Sequence, residues 1–133
     1  MNRDNTILIW KYLLPCIQDN EEFNSYVGDK VFPLLANPET EYPFVIYRRD
    51  SINVQYTKSP IKGWDNRVNI SLGVYSNDYT TGIEILNIIR NMFENKQLIT
   101  DEIKISEIQV TDVSEMKGDD CYIQTISFTM LAE

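Results

Sequence analysis

Apolar residues in the first quarter of the chain recur at helical spacing, which predicts a helix over residues 5–26. The side chains that mark its apolar face are Ile7, Trp10, Leu14 and Ile17. Pro15 lies inside this stretch and is expected to kink or divide the helix, because proline lacks a backbone N–H. Gly28 follows the last apolar position and is typical of a helix C-terminal stop.

In the rest of the chain, β-branched and aromatic residues predict one strand, and alternating apolar and polar residues predict the others. The predicted strands cover residues 44–47, 52–57, 68–75, 103–110 and 122–130. In the fourth of these, Ile103 and Ile105 have the opposite parity to Ile108 and Val110, which indicates a bulge near Ser106–Glu107. The turn-forming residues at 116–120 predict a hairpin between the last two strands.

A second helix is expected between the third and fourth strands, ending near Asn95. Residues 76–78 supply possible caps, and Thr81 with Glu84 fits a capping box. Strands that follow one another with few helices favour an α+β fold. We therefore expect residues 1–133 to form a single domain. Its largely antiparallel sheet would have about four to five strands, with two main helices packed on one face.

The composition indicates a folded chain and limits the kinds of partner that this domain is expected to bind. An apolar fraction of 43% with eight Tyr and five Phe is typical of a folded chain. Twelve basic against twenty acidic residues give a net charge of -8, which disfavours specific nucleic-acid binding. No apolar run approaches the roughly 20 residues that span a bilayer, so we expect no membrane contact and synthesis in the cytoplasm.

The sequence contains none of the common catalytic patterns. It has no histidine, the usual general base and metal ligand, and no glycine-rich phosphate loop. Asp119–Asp120 is expected to serve only turn formation and solvation. Cys16 and Cys121 are expected to be buried free thiols, although a disulfide stays open from sequence alone. We therefore expect no enzyme activity, no cofactor, no metal and no catalytic residue.

Five residues are candidates for a partner interface. Arg48 and Arg49 follow a strand directly, and they are either a solvated strand end or the basic side of an inter-subunit salt bridge. Trp64 lies in a polar loop, where it either folds back onto the core or anchors a partner. Lys62 precedes it in that loop, and Tyr56 lies just before the loop, where the default is an ordinary sheet residue.

The order of short motifs resembles the tail-terminator, or tail-completion, family of long-tailed bacteriophages. The motifs that carry the resemblance are Tyr26-Val27-Gly28-Asp29-Lys30-Val31-Phe32-Pro33, Tyr42-Pro43-Phe44-Val45-Ile46-Tyr47, the strand 68–76 with Tyr79, and the final strand 122–131. Together they cover most of the chain. Leu34-Leu35-Ala36-Asn37-Pro38 departs from the more polar loop of many members.

This resemblance implies a virion protein of the phage tail, made in the bacterial cytoplasm. Such proteins form a ring, commonly a hexamer, that stacks on the tail tube, ends its polymerisation and presents a surface to the head connector protein. The implied partners are therefore further copies of the chain, the tube protein and the connector, with DNA passing through the ring. An acidic lumen would let DNA pass without sticking.

Two other functions stay open at this level. The chain could be a related head–tail joining protein, since the two kinds are small and similar. It could also be a non-phage adaptor that binds a peptide or protein by strand addition to a sheet edge.

Overall fold

A six-stranded sheet in the order β1-β2-β3-β6-β5-β4 forms the centre of the fold. The structure is a computed structural model and describes residues 4–55 and 65–133. The strands are β1 Val31–Pro33, β2 Phe44–Gln55, β3 Asp65–Ser76, β4 Leu98–Ile99, β5 Lys104–Lys117 and β6 Tyr122–Ala132. β1 runs parallel to β2, and every other neighbouring pair is antiparallel, so the sheet is mixed. It curls into half of a barrel.

The expectation of four to five largely antiparallel strands is therefore wrong. The missed strands are β1 and β4, which lie at the two ends of the sheet and have three and two residues. A period of two residues cannot be recognised in segments of this length. β1 is a strand because it pairs with the start of β2, where Val31 is in register with Val45.

β-Bulges set the course of two long strands. The predicted strands 44–47 and 52–57 belong to a single strand, β2, whose register shifts between Arg49 and Ser51. Asp50 is the extra residue of this bulge. It shifts the alternation of side chains by one position, so core-facing residues have opposite parity before and after it. In β5 the predicted bulge is confirmed by a register shift between Ser106 and Gln109, where Glu107 has a φ of 52°.

Three α-helices lie in the described part of the chain: α1 Ile9–Gln18, α2 Glu21–Tyr26 and α3 Tyr79–Phe93. The predicted N-terminal helix is divided as expected, but three residues beyond Pro15, which stays inside α1. The division coincides with Asn20, whose side chain accepts a hydrogen bond from the Phe23 N–H at 2.8 Å and caps α2. Gly28 ends α2 with a φ of 66°, as its position predicted.

The core lies between one face of the sheet and the helices. Val68, Ile70, Leu72 and Val74 of β3 are all fully buried on this face. α3 packs across β3 and β6, with the Phe93 and Phe128 rings 5.8 Å apart between centroids. α1 and α2 pack against α3 in turn. We call the opposite side of the sheet the outer face.

Candidate functional site

Only two of the five predicted interface residues lie in the described part of the chain. Arg48 and Arg49 are adjacent on β2, so their side chains leave opposite faces of the sheet. The Arg48 Nε–H donates to Asp50 at 2.8 Å, and Arg49 donates to the Ile7 carbonyl at 2.6 Å. Both arginines are exposed. The other three, Tyr56, Lys62 and Trp64, lie outside the described residues.

The outer face is polar over most of its area. One row across the four long strands consists of Arg48, Ser71, Ser127 and Asp112, each in register with the next. Within it, the Ser71 hydroxyl donates to the Asp50 carboxylate and lies 2.9 Å from the Ser127 hydroxyl. This hydrogen-bonded chain holds the bulge at Asp50 against the sheet. Polar groups in such a row suit contact with water or with another polar protein surface.

One end of the outer face is apolar instead. Phe44, Tyr75, Ile123 and Met116 are in register across the same four strands. The Phe44 and Tyr75 rings stack at 4.9 Å between centroids, and Tyr42 stacks on Phe44 at 5.5 Å. Met116 is 65% exposed at the edge of this row. The outer face thus offers an apolar band at one end and a polar surface beyond it.

Four tyrosine hydroxyls connect separate elements by donating to carboxylates. The pairs are Tyr12 with Glu102 at 2.7 Å, Tyr26 with Glu84 at 2.6 Å, Tyr42 with Asp120 at 2.9 Å and Tyr79 with Glu115 at 2.8 Å. For Tyr12, Tyr26 and Tyr79, this hydrogen bond is the main cause that raises the pKa of the phenol, since donation requires its proton. Sequence reasoning missed these pairs, because their partners are 36 or more residues apart.

A pocket of about 280 Å³ lies where the start of α3 meets the β5–β6 hairpin. It is lined by Tyr79, Glu115, Met116, Lys117, Tyr122 and Gln124. Gln124 is 1% exposed, and neither of its amide atoms has a hydrogen-bond partner among the described residues. It packs under Gly82 of α3, where a side chain would leave no room for it. Gly82 therefore allows α3 to approach this end of the sheet closely.

Within residues 4–55 and 65–133, no group of three or more His, Cys, Asp or Glu side chains is placed to hold a metal ion. Cys16 is half-buried and Cys121 is buried, and both are free thiols. Burial is the main cause that raises the pKa of Cys16, with the Asp19 charge adding to it. Such a thiol is less reactive than a free one, because the thiolate is the nucleophile. Asp120 lies beside the hairpin turn and accepts from Tyr42.

None of the described helices has the length and apolarity needed to cross a membrane.

Solved structures contain this fold over nearly its whole length. A chain of the structure named "Virion of native gene transfer agent (GTA) particle" matches with a TM-score of 0.76 at 9% sequence identity, covering 94% of both chains. A second solved structure, whose name states no function, matches with a TM-score of 0.64 at 10% identity and covers 96% of this chain and 95% of its own. At these identities the likeness shows a common fold. No protein-family model and no curated protein matches the sequence.

Proposed function

We propose that this chain is a structural protein of a phage-like virion. The observation that carries the proposal is the match with a chain of a gene transfer agent virion, at a TM-score of 0.76 over 94% of both chains. At this coverage the match is more than a shared hairpin or helix pair. A fold alone does not define a role, and the sequence resemblance supplies an independent second argument.

Within that class, we propose the role of tail terminator. The chain would form a ring, commonly six-fold, on the end of the finished tail tube, stop tube polymerisation and present a surface to the head connector. The motifs around Gly28, Pro43 and Tyr75 support this role by their resemblance to the family. The protein would act through its surfaces, without catalysis or a cofactor, and would be located in the tail of the particle.

The outer face has an apolar part and a polar part, and the two parts suit different neighbours in an assembly. Its apolar band, with Met116 65% exposed, suits a contact that is buried in the assembly. The polar row that contains Arg48 and Ser127 suits a hydrated surface such as a lumen. A terminator needs surfaces of both kinds, because it binds a tube on one side while DNA passes through its centre.

The test of this role is native mass spectrometry over a concentration series, followed by electron microscopy of tail tubes mixed with the protein. We expect a closed ring, most simply a hexamer, and a cap at one end of each tube that stops its growth. Tubes that keep growing with no cap, at protein concentrations well above that of the tube ends, would contradict the terminator role. A ring that instead binds isolated head connectors and ignores tubes would support the head–tail joining role.

An adaptor function is the second candidate, and the open edge of β5 favours it. Residues 109–117 pair on one side only among the described residues, so a partner peptide could add a strand there. A chain that stays monomeric and leaves tubes uncapped, yet selects short β-strand peptides from a peptide library, would support this function against the terminator.

A further inference from the structure

Two long strand edges have no neighbouring strand in the described part of the chain. β1 covers β2 only up to Tyr47, which leaves residues 48–55 open on that side. β4 pairs with Lys104 and Ile105 of β5, and the Asn95 N–H donates to the Ile108 carbonyl at 2.9 Å. Among the described residues, this leaves residues 109–117 open on the other side of the sheet. Along an open edge, every second residue directs its N–H and C=O groups outward. Each edge is therefore a template for another strand.

The two edges carry opposite charge. The open part of β2 has two basic residues, Arg48 and Arg49, against one acidic residue, Asp50. The open part of β5 has two acidic residues, Asp112 and Glu115, against one basic residue, Lys117. All of these residues are exposed. Opposite charges on facing strands attract one another, and like charges repel, so each edge favours the other over itself.

Strand directions allow the two edges to meet in a regular ladder. The four long strands β2, β3, β6 and β5 alternate in direction, so β2 and β5 run opposite to each other. A second copy, rotated about an axis roughly along the strands, would bring its β2 beside β5 in antiparallel orientation. Such a contact joins different surfaces of the two copies, and its repetition builds a ring if the rotation between copies closes.

Apolar side chains on both edges add a reason for association. Val113 is 51% exposed and Met116 is 65% exposed on β5, and Val54 is 44% exposed on β2. Asp112–Lys117 of β5 follows the register of β6 without interruption, so its open side is a regular strand edge. Natural edge strands are usually protected by bulges or charges against unwanted pairing. The register shifts between Ser106 and Gln109 and between Val110 and Asp112 precede this segment, so Asp112–Lys117 is the regular part of the open edge.

We infer that the open edge of β5 binds the open edge of β2 from a second copy of this chain. The two strands pair antiparallel, with the acidic residues of β5 opposite the arginines of β2. The inference rests on the proposed function, because repetition of the contact would build the terminator ring. It goes beyond that function by naming the two strands that join neighbouring subunits.

Charge reversal on the two edges tests this inference. The variants are Arg48→Glu, Asp112→Arg and the double variant, measured by native mass spectrometry over one concentration series with the wild-type chain. We expect each single reversal to weaken assembly roughly two- to tenfold, and the double variant to regain most of the loss. Asp19→Arg is the matched control, because this exposed residue between α1 and α2 receives the same charge change as Asp112→Arg and lies on neither strand. Equal melting temperatures will show that the variants are folded.

The possible outcomes separate this inference from the proposed function. Assembly that is insensitive to both single reversals would overturn the edge pairing while leaving a terminator ring intact. A wild-type chain that stays monomeric at all concentrations would overturn self-recognition by the edges, and tube capping would then decide the function independently. Weaker assembly of both single variants, with assembly recovered in the double variant, would support the strand pairing whether or not tubes are capped.

Discussion

Asp78 shows how one side chain defines the start of a helix. Its carboxylate accepts hydrogen bonds from both the hydroxyl and the N–H of Thr81, at 2.7 and 3.0 Å. These bonds lower its pKa from the ordinary 3.8, because they favour the charged form. The residues at 76–78 were predicted as caps, and Asp78 is the one that caps α3. Thr81 lies inside the helix as the donor instead of heading a capping box.

The lowered pKa of Asp78 predicts a loss of stability in acid. A carboxyl whose folded pKa lies below its unfolded value stabilises the fold above the unfolded value, and this contribution disappears as the pH falls through the folded pKa. Asp78→Asn keeps a capping oxygen that does not titrate. We expect the melting temperature of this variant to fall less than that of wild type between pH 6 and pH 3, by about a few degrees. Parallel curves for the two proteins would show that the cap does not depend on charge.

Gly82 supports a second prediction at the residue scale. Replacing an interior helix glycine by alanine usually stabilises by about 1 kcal/mol. Here the new methyl group would lie 3.2 Å from the Gln124 Cδ and closer still to its amide oxygen, and Gln124 is buried. We therefore expect Gly82→Ala to destabilise the fold by roughly 1–3 kcal/mol in denaturant unfolding. Adding Gln124→Ala should recover part of the loss, whereas strictly additive effects would mean that the two residues do not collide.

At the scale of elements, strands and bulges could be predicted only where apolar residues alternate clearly with polar ones. The bulge near Glu107 was predictable because Ile105 and Ile108 bracket it with opposite parity. The bulge at Asp50 was not, because residues 44–47 before it are all apolar and therefore do not show which of them face the core. β1 and β4 were missed because pairing with a neighbour, and not their own composition, makes them strands.

The candidate site was less predictable than the long strands. That Arg48 and Arg49 leave opposite faces follows from strand geometry alone. The hydrogen-bond partners of the two arginines could not be predicted in this way. The contact of Arg48 with Asp50 depends on the bulge, and the contact of Arg49 with Ile7 joins residues 42 positions apart. The two open edges were equally hidden, since an edge is defined by the strand order of the complete sheet.

Leu72 tests the central position of β3 in the sheet. It is fully buried, with Tyr47 of β2 on one side and Ile126 of β6 on the other. We expect Leu72→Ala to lower the free energy of unfolding by roughly 2–5 kcal/mol, because it leaves a cavity in the core. Ile99→Ala on β4 is the control, since that side chain is 62% exposed and should change stability by less than about 0.5 kcal/mol. Similar losses in both variants would contradict a core centred on β3.

At the scale of the whole molecule, the excess of acidic residues bears on what could pass through the proposed ring. Twenty acidic and twelve basic residues give each copy a net charge of -8, and the proposed ring would gather several copies around one channel. Because DNA binding depends on cations that neutralise phosphates, such a channel should repel DNA without gripping it. This hypothesis requires that the polar outer face of the sheet, and not a basic surface, borders the lumen.

The expected result is that the assembled protein does not retain duplex DNA at about 0.15 M salt, where charges farther apart than roughly 8 Å are screened. Electrophoretic mobility of a short duplex, titrated with the protein at that salt and at tenfold lower salt, measures this directly. Retention that grows steeply as salt is lowered would reveal a local basic patch and contradict an acidic lumen. Absence of retention in both conditions, with the ring shown intact by mass, would support a lumen without a basic patch.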